Sequence, residues 1–96
     1  MAREVKVLFF ASLREHLGRD EVVIPLKSPC SMKEFLSILW CALPENARHL
    51  ILSNERSLRE GLLIFLNRAL IDPKKVDSIV VSPGAELAIA PPASGG

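Results

Sequence analysis

Residues 31–44, SMKEFLSILWCALP, carry the reading that decides the fold. Ser31 followed three residues later by Glu34 is a capping box: the serine oxygen accepts a first-turn N–H, and the glutamate can reach back to the serine's own N–H. Phe35, Leu36, Leu39, Trp40 and Leu43 then recur at the spacing of one helix face. Pro44 ends the run, because it has no N–H to give and its ring crowds the preceding turn. This pattern predicts one amphipathic helix that must lay its apolar stripe on another layer. Trp40 lies in the stripe and is expected in the core, and Cys41 is expected to be a small buried hydrophobe.

The other layer is legible on both sides. Upstream, residues 5–10 (VKVLFF) are rich in β-branched and aromatic types, which predicts a strand with Val5, Val7 and Phe9 on one face. After a short polar stretch in which Gly18 ends a possible helical turn, residues 21–26 (EVVIPL) alternate Val22, Ile24 and Leu26 on one side, a second strand paired as a hairpin. Pro25 cannot donate to a ladder and assigns that strand to an edge or a bulge. Downstream, residues 62–66 form a continuous apolar run that reads as a strand buried on both faces and as the centre of the sheet. Ala69, Leu70 and Ile71 follow as a short strand, Asp72 and Pro73 break the run, Pro83 and Gly84 signal a turn, and Glu86 to Ala90 is a last strand. Residues 45–61 are read as a short second helix and a surface loop. One helix segregated onto one face of a mixed sheet is an α+β domain.

Composition narrows the function. The 96 residues suffice for one core, and 49% hydrophobic with 24% charged residues belongs to a folded domain. Lys and Arg number 12 against 11 Asp and Glu, so no net field exists to hold nucleic acid or an anionic membrane. No stretch approaches the ~20 apolar residues of a membrane span, and the apolar run near the start is broken by Lys6, unlike a signal-peptide core. The two cysteines, Cys30 and Cys41, would stand about 16 Å apart along a helix, too far for a disulfide. Reduced thiols fit a cytoplasmic protein. His16 and His49 lack companion ligands at metal-binding spacing, so no metal site is expected, and Lys74 and Lys75 read as a solvated pair. A mean hydropathy of +0.27 points to an apolar patch covered by a partner.

Beyond Ala90 the character changes. Pro91, Pro92, Ala93, Ser94, Gly95 and Gly96 offer nothing to bury, which divides the chain into a domain over residues 1–90 and a flexible tail over 91–96. Two prolines favour a stiff extended spacer, so the tail can reach on the order of 18 Å at ~3.1 Å per residue. The final glycines lack Cβ atoms, so a partner's channel can close on the backbone and receive a carboxylate with no side chain beside it. A carboxylate acylates poorly at neutral pH; it needs prior activation, and adenylation by ATP in another protein is the usual route.

Three stretches, VKVLFFASLRE, FLNRAL and SPGAELAIAPPASGG, resemble the small subunits of molybdopterin synthase, which are ubiquitin-like sulfur carriers. The resemblance implies the ubiquitin-like β-grasp fold and a carrier with no bound cofactor. It further implies that an adenylating enzyme of the ubiquitin-activating type consumes ATP at Gly96, whose carboxylate becomes a thiocarboxylate (a C-terminal 1-thioglycine). That group would donate sulfur for the dithiolene of molybdopterin in the molybdenum or tungsten cofactor, inside the large subunit of molybdopterin synthase. Catalytic acids, bases and phosphate-binding groups would belong to that large subunit, so this sulfurtransferase component has no independent catalytic site. By the same resemblance Phe10, Leu70 and Ala90 form the partner interface; alanine at the third departs from the aromatic often found there, and residues 45–61 are longer than usual. Sulfur delivery for thiamine or for tRNA thiolation remains an alternative, as does a protein modifier that joins Gly96 to a lysine. A β-grasp binding module with an inert tail is the third class.

Overall fold

In the computed structural model, which describes residues 3–55 and 57–91, the first hairpin forms as its alternation dictates. Strand β1 (Glu4–Phe9) buries Val5, Val7 and Phe9, and it pairs antiparallel with β2 (Glu21–Pro25), whose Val22 and Ile24 face the same way. Between them α1 (Ser12–Leu17) buries Leu13 and stops at Gly18, whose φ of 73° is the left-handed conformation a residue without Cβ adopts freely. β2 is an edge strand with Pro25 at its last position, where a missing donor is tolerated.

A two-residue strand, β3 (Cys30–Ser31), leads into α2 (Met32–Ala42). Ser31 Oγ accepts the Glu34 N–H at 3.1 Å, the serine half of the capping box. Met32, Phe35, Leu36 and Leu39 are fully buried and Leu43 nearly so, which lays the helix across one face of the sheet. Pro44 then serves as the cap of α3 (Glu45–Arg48). The stretch after it holds more structure than its sequence pattern suggests: β4 (Leu52–Asn54) and β5 (Ser57–Leu58) form a small hairpin. Ile51 and Leu52 are wholly buried, and Ser37 Oγ donates to the Glu55 carbonyl at 3.0 Å, tying the hairpin to α2. Two such side chains taken out of water contribute about 1.5–3 kcal/mol each, enough to anchor the segment.

The main sheet is completed by β6 (Leu63–Leu66), β7 (Ala69–Leu70) and β9 (Glu86–Ala90), in the order β2-β1-β9-β6-β7. β1 runs parallel to β9, and the other pairings are antiparallel. A 3-10 segment (Pro73–Ser78) and β8 (Val80–Val81), which pairs with β3, close the far side of α2. There Lys33 and Asp77 form an ion pair at 2.9 Å, solvated and therefore worth little. The architecture is α+β, a ubiquitin-like β-grasp: a mixed sheet with one main helix on one face.

Three sequence expectations need correction. The central strand is β9 and not residues 62–66; β6 buries Ile64 toward the helix while Leu63 and Phe65 stay half-exposed on the other side. Its unbroken apolar run reflects two different apolar surfaces, only one of which is the core. Trp40 is half-buried at the margin of the core. His49 meets it edge-on, with ring centroids 5.4 Å apart, and the Arg48 guanidinium lies 5.2 Å from its centroid. Cys41 is exposed, one position beyond the apolar stripe, whereas Cys30 is half-buried and its thiol is pushed up by burial and by the nearby Glu34 charge.

Leu36→Ala should destabilise the domain by about 2–5 kcal/mol, and Ser31→Ala by only about 1 kcal/mol, both read from urea unfolding. A Leu36→Ala loss below that of the cap mutant would contradict the helix-on-sheet core. The thiols should separate kinetically: at neutral pH Ellman's reagent modifies Cys41 first, and equal rates would contradict the placement of Cys30.

Candidate docking face and carrier terminus

The side of the sheet opposite α2 has no helix to cover it, so the alternate residues of each strand meet solvent. The registers Leu8↔Ala88, Ala88↔Phe65 and Phe65↔Leu70 join into one cross-strand row that runs over β1, β9, β6 and β7. Cross-strand partners project to the same side, so these four apolar side chains share the outward face. Leu8, Ala88 and Phe65 are half-buried and Leu70 is 64% exposed. Beside the row Ala90 pairs with Leu63. An apolar surface contributed by four strands of so small a domain is the kind that a partner covers.

The three interface residues expected from sequence fall on this side of the sheet or at its edge. Phe10 directly follows β1, is 46% exposed, and donates its N–H to the Ile89 carbonyl at 3.1 Å, which continues the β1–β9 ladder toward Ala90. Leu70 stands on the outermost strand, linked to the other two through Phe65 and Ala88. Leu8, Leu63, Phe65 and Ala88 escaped the sequence reading. The two-residue alternation of β6 was the signal that could have found two of these outward positions, Leu63 and Phe65, and it was masked because both its faces are apolar. Leu8 and Phe10 also line a shallow recess of ≈ 250 Å³ with Arg14, Asp20 and Glu21.

Pro91 is the last described residue of the tail. It borders a separate recess with Leu13, His16, Arg59 and Leu62. Pro92, Ala93, Ser94, Gly95 and Gly96 lie outside the described residues. β9 thus carries the chain out of the centre of the sheet, next to the end at which Phe10 emerges.

Among the described residues no group of three or more His, Cys, Asp or Glu is placed to hold a metal. His16 is occupied locally, its Nδ1 2.6 Å from the Ser12 carbonyl, and His49 stacks on Trp40. Burial and the nearby Glu34 charge hold Cys30 toward its thiol form. No described helix is long and apolar enough to cross a membrane.

Comparison with known proteins is consistent with this arrangement. The ThiS family profile matches residues 7–96. A search among curated proteins returned no match. Among solved structures, the small archaeal modifier protein 1 of Methanosarcina acetivorans is similar at 26% identity and a TM-score of 0.68, covering 100% of this chain and 99% of that one. The same-named protein of Haloferax volcanii aligns at 22% identity and a TM-score of 0.73, covering 97% and 99%. Urm1 of Trypanosoma brucei aligns at 16% identity and 0.73, covering 99% and 97%; these last two likenesses speak to fold alone. With the profile running over nearly the whole chain and the β-grasp topology in hand, the chain belongs to the ThiS family of ubiquitin-like sulfur carriers and modifiers.

Proposed function

We propose that the chain is a sulfur carrier for molybdopterin synthesis, with Gly96 as its terminal and reacting residue. In this reading an adenylating enzyme joins the Gly96 carboxylate to AMP and releases pyrophosphate. Sulfur then displaces AMP and leaves a thiocarboxylate. That group is a soft nucleophile, ionised at neutral pH, and it delivers sulfur to the dithiolene-forming carbons of the pterin inside the large synthase subunit. Pro91, Pro92, Ala93, Ser94 and Gly95 act as the spacer, and Phe10, Leu70 and Ala90 with their neighbours Leu8, Leu63, Phe65 and Ala88 form the face that docks the adenylating enzyme and the large subunit in turn.

The observation that carries the reading is the family match through Gly96, in a domain whose central strand β9 leads directly into the Pro-Pro and Gly-Gly segment. The molybdopterin branch draws on the resemblance of residues 5–15, 65–70 and 82–96 to small synthase subunits. A second reading, a ubiquitin-like modifier attached through Gly96 to lysines of other proteins, is favoured by the likeness to small archaeal modifier protein 1 of Methanosarcina acetivorans. Both readings use the same activation step and part only at the acceptor. Thiamine and tRNA thiolation are further acceptors of the same thiocarboxylate. The location consistent with either chemistry is the cytoplasm, where ATP and reduced sulfur are available.

Intact mass of the protein isolated from its native cell should show a gain of about 16 Da localised to Gly96, sulfur in place of oxygen, and the gain should vanish when Gly95 and Gly96 are deleted. Peptides carrying a lysine joined to Gly96 would instead select the modifier, and a plain carboxylate under all growth conditions would sink both readings. Leu70→Asp should alter the unfolding free energy by no more than about 0.5 kcal/mol, because the side chain is exposed, yet abolish detectable activation of Gly96. Normal activation of that variant would remove Leu70 from the docking face.

A further inference from the structure

The turn between β6 and β7 consists of Asn67 and Arg68, flanked by the Leu66↔Ala69 pair. Both turn residues have positive φ, 49° and 72°. A two-residue hairpin with both φ positive is the type I′ arrangement, for which Asn followed by Gly is the preferred pair. Asn67 suits the first position. Short polar side chains tolerate the left-handed region, and Asn67 is doubly tied to β9: its N–H donates to the Glu86 carbonyl at 2.8 Å and its Oδ1 accepts the Glu86 N–H at 3.0 Å.

Arg68 does not suit the second position. Its Cβ meets the crowding that glycine avoids, and among the described residues its side chain has no hydrogen bond, ion pair or ring contact to offset the strain. The domain would be more stable with glycine there. Backbone strain that a single common substitution would remove, at an exposed position, points to a use for the side chain outside the folded domain. The place is also telling: the hairpin tip is two residues from Leu70, the most exposed large apolar side chain of the domain.

We infer that Arg68 is a specificity-determining contact of the docking face, pairing with a carboxylate on the adenylating enzyme as it covers Phe65 and Leu70. This rests on the reading of that face as the partner surface. On this face Lys6 stands in register with Glu86, and Arg14 shares its recess with Asp20 and Glu21; Arg68 at the rim, in a chain of net charge +1, therefore matches a carboxylate set among apolar groups and not a polyanion, which requires an unbalanced field of several cations. Docking removes the pair from water, where a bidentate Arg–carboxylate contact gains strength and fixes the register of the two surfaces. Asn67 is the positioning residue, since its two bonds to Glu86 hold the tip against β9.

The test uses the full-length carrier with the purified adenylating enzyme of the same cell, measuring carrier-dependent ATP–pyrophosphate exchange alongside thermal unfolding of the free carrier. Arg68→Gly should raise the melting temperature while raising KM for the carrier roughly tenfold at unchanged kcat, the loss of one charge-assisted contact; Arg68→Lys should recover part of that loss. High salt should narrow the gap between wild type and Arg68→Gly. Leu70→Ala serves as the reference for the face. If Leu70→Ala raises KM and Arg68→Gly does not, Arg68 is no part of recognition and the inference is overturned. If Leu70→Ala has no effect either, the docking-face reading itself falls and takes the inference with it.

Discussion

The parallel pairing of β1 with β9 is the constraint on which the rest of this structure depends. It brings the first and last strands of the chain side by side, Val7 against Leu87 and Phe9 against Ile89, and these four residues are also the floor on which α2 packs. Closing so long a loop costs entropy before any contact compensates it. The compensation is collective: the α2 stripe of Phe35, Leu36 and Leu39 buries the joined strands, and β6 completes the other flank of β9. Remove the pairing and the tail has no fixed root, Phe10 has no ladder to extend, and the helix loses half of its seat.

The same pairing separates the two apolar surfaces of the sheet. Along β1 and β9 the odd-numbered residues face the helix, while the even-numbered ones face outward. The outward row, Leu8, Ala88, Phe65 and Leu70, is apolar as well. A sheet face left bare in this way is costly for an isolated chain in water, and in the proposed function partners cover it. The carboxylate chemistry proposed for Gly96 requires that division of labour. In that proposal the domain supplies grip and direction, and the other reacting groups reside in its partners.

Local strain and local anchoring complete the picture at opposite ends of the molecule. At the β6–β7 turn, Asn67 is built into β9 while Arg68 is held in a conformation that favours glycine, beside the most exposed part of the outward face. At the far end of α2, residues 45–61 are not loose surface: Ile51 and Leu52 are fully buried, and Trp40, Arg48 and His49 stack over the seam. Their scattered leucines look irregular because each serves a different contact, Leu52 and Leu58 in two strands too short to show a period.

By itself the sequence determined the elements whose cause is local. The Ser31 cap, the α2 stripe, the stop at Pro44, the alternation of the first hairpin, the edge position of Pro25 and the Gly18 terminator are all read from neighbours a few residues apart, and all recur in the structure. Sequence also pointed to a ubiquitin-like sulfur carrier, the level at which the family match agrees, through the opening strand, the FLNRAL stretch and the ending, and it drew attention to Phe10, Leu70 and Ala90. Only the tertiary structure decided which strand is central, because an apolar run such as Leu62 to Leu66 does not say what lies on each side of it. Pairings between strands distant in sequence, Leu8 with Ala88 and Ala88 with Phe65, also decided that Leu8, Leu63, Phe65 and Ala88 join the outward face, and the seating of α2 decided that Trp40 lies at the margin and that Cys41 is exposed. Hydrophobic patterning records that a residue must be covered; which surface covers it, the chain's own helix or another protein, is fixed by long-range pairing that the pattern does not encode.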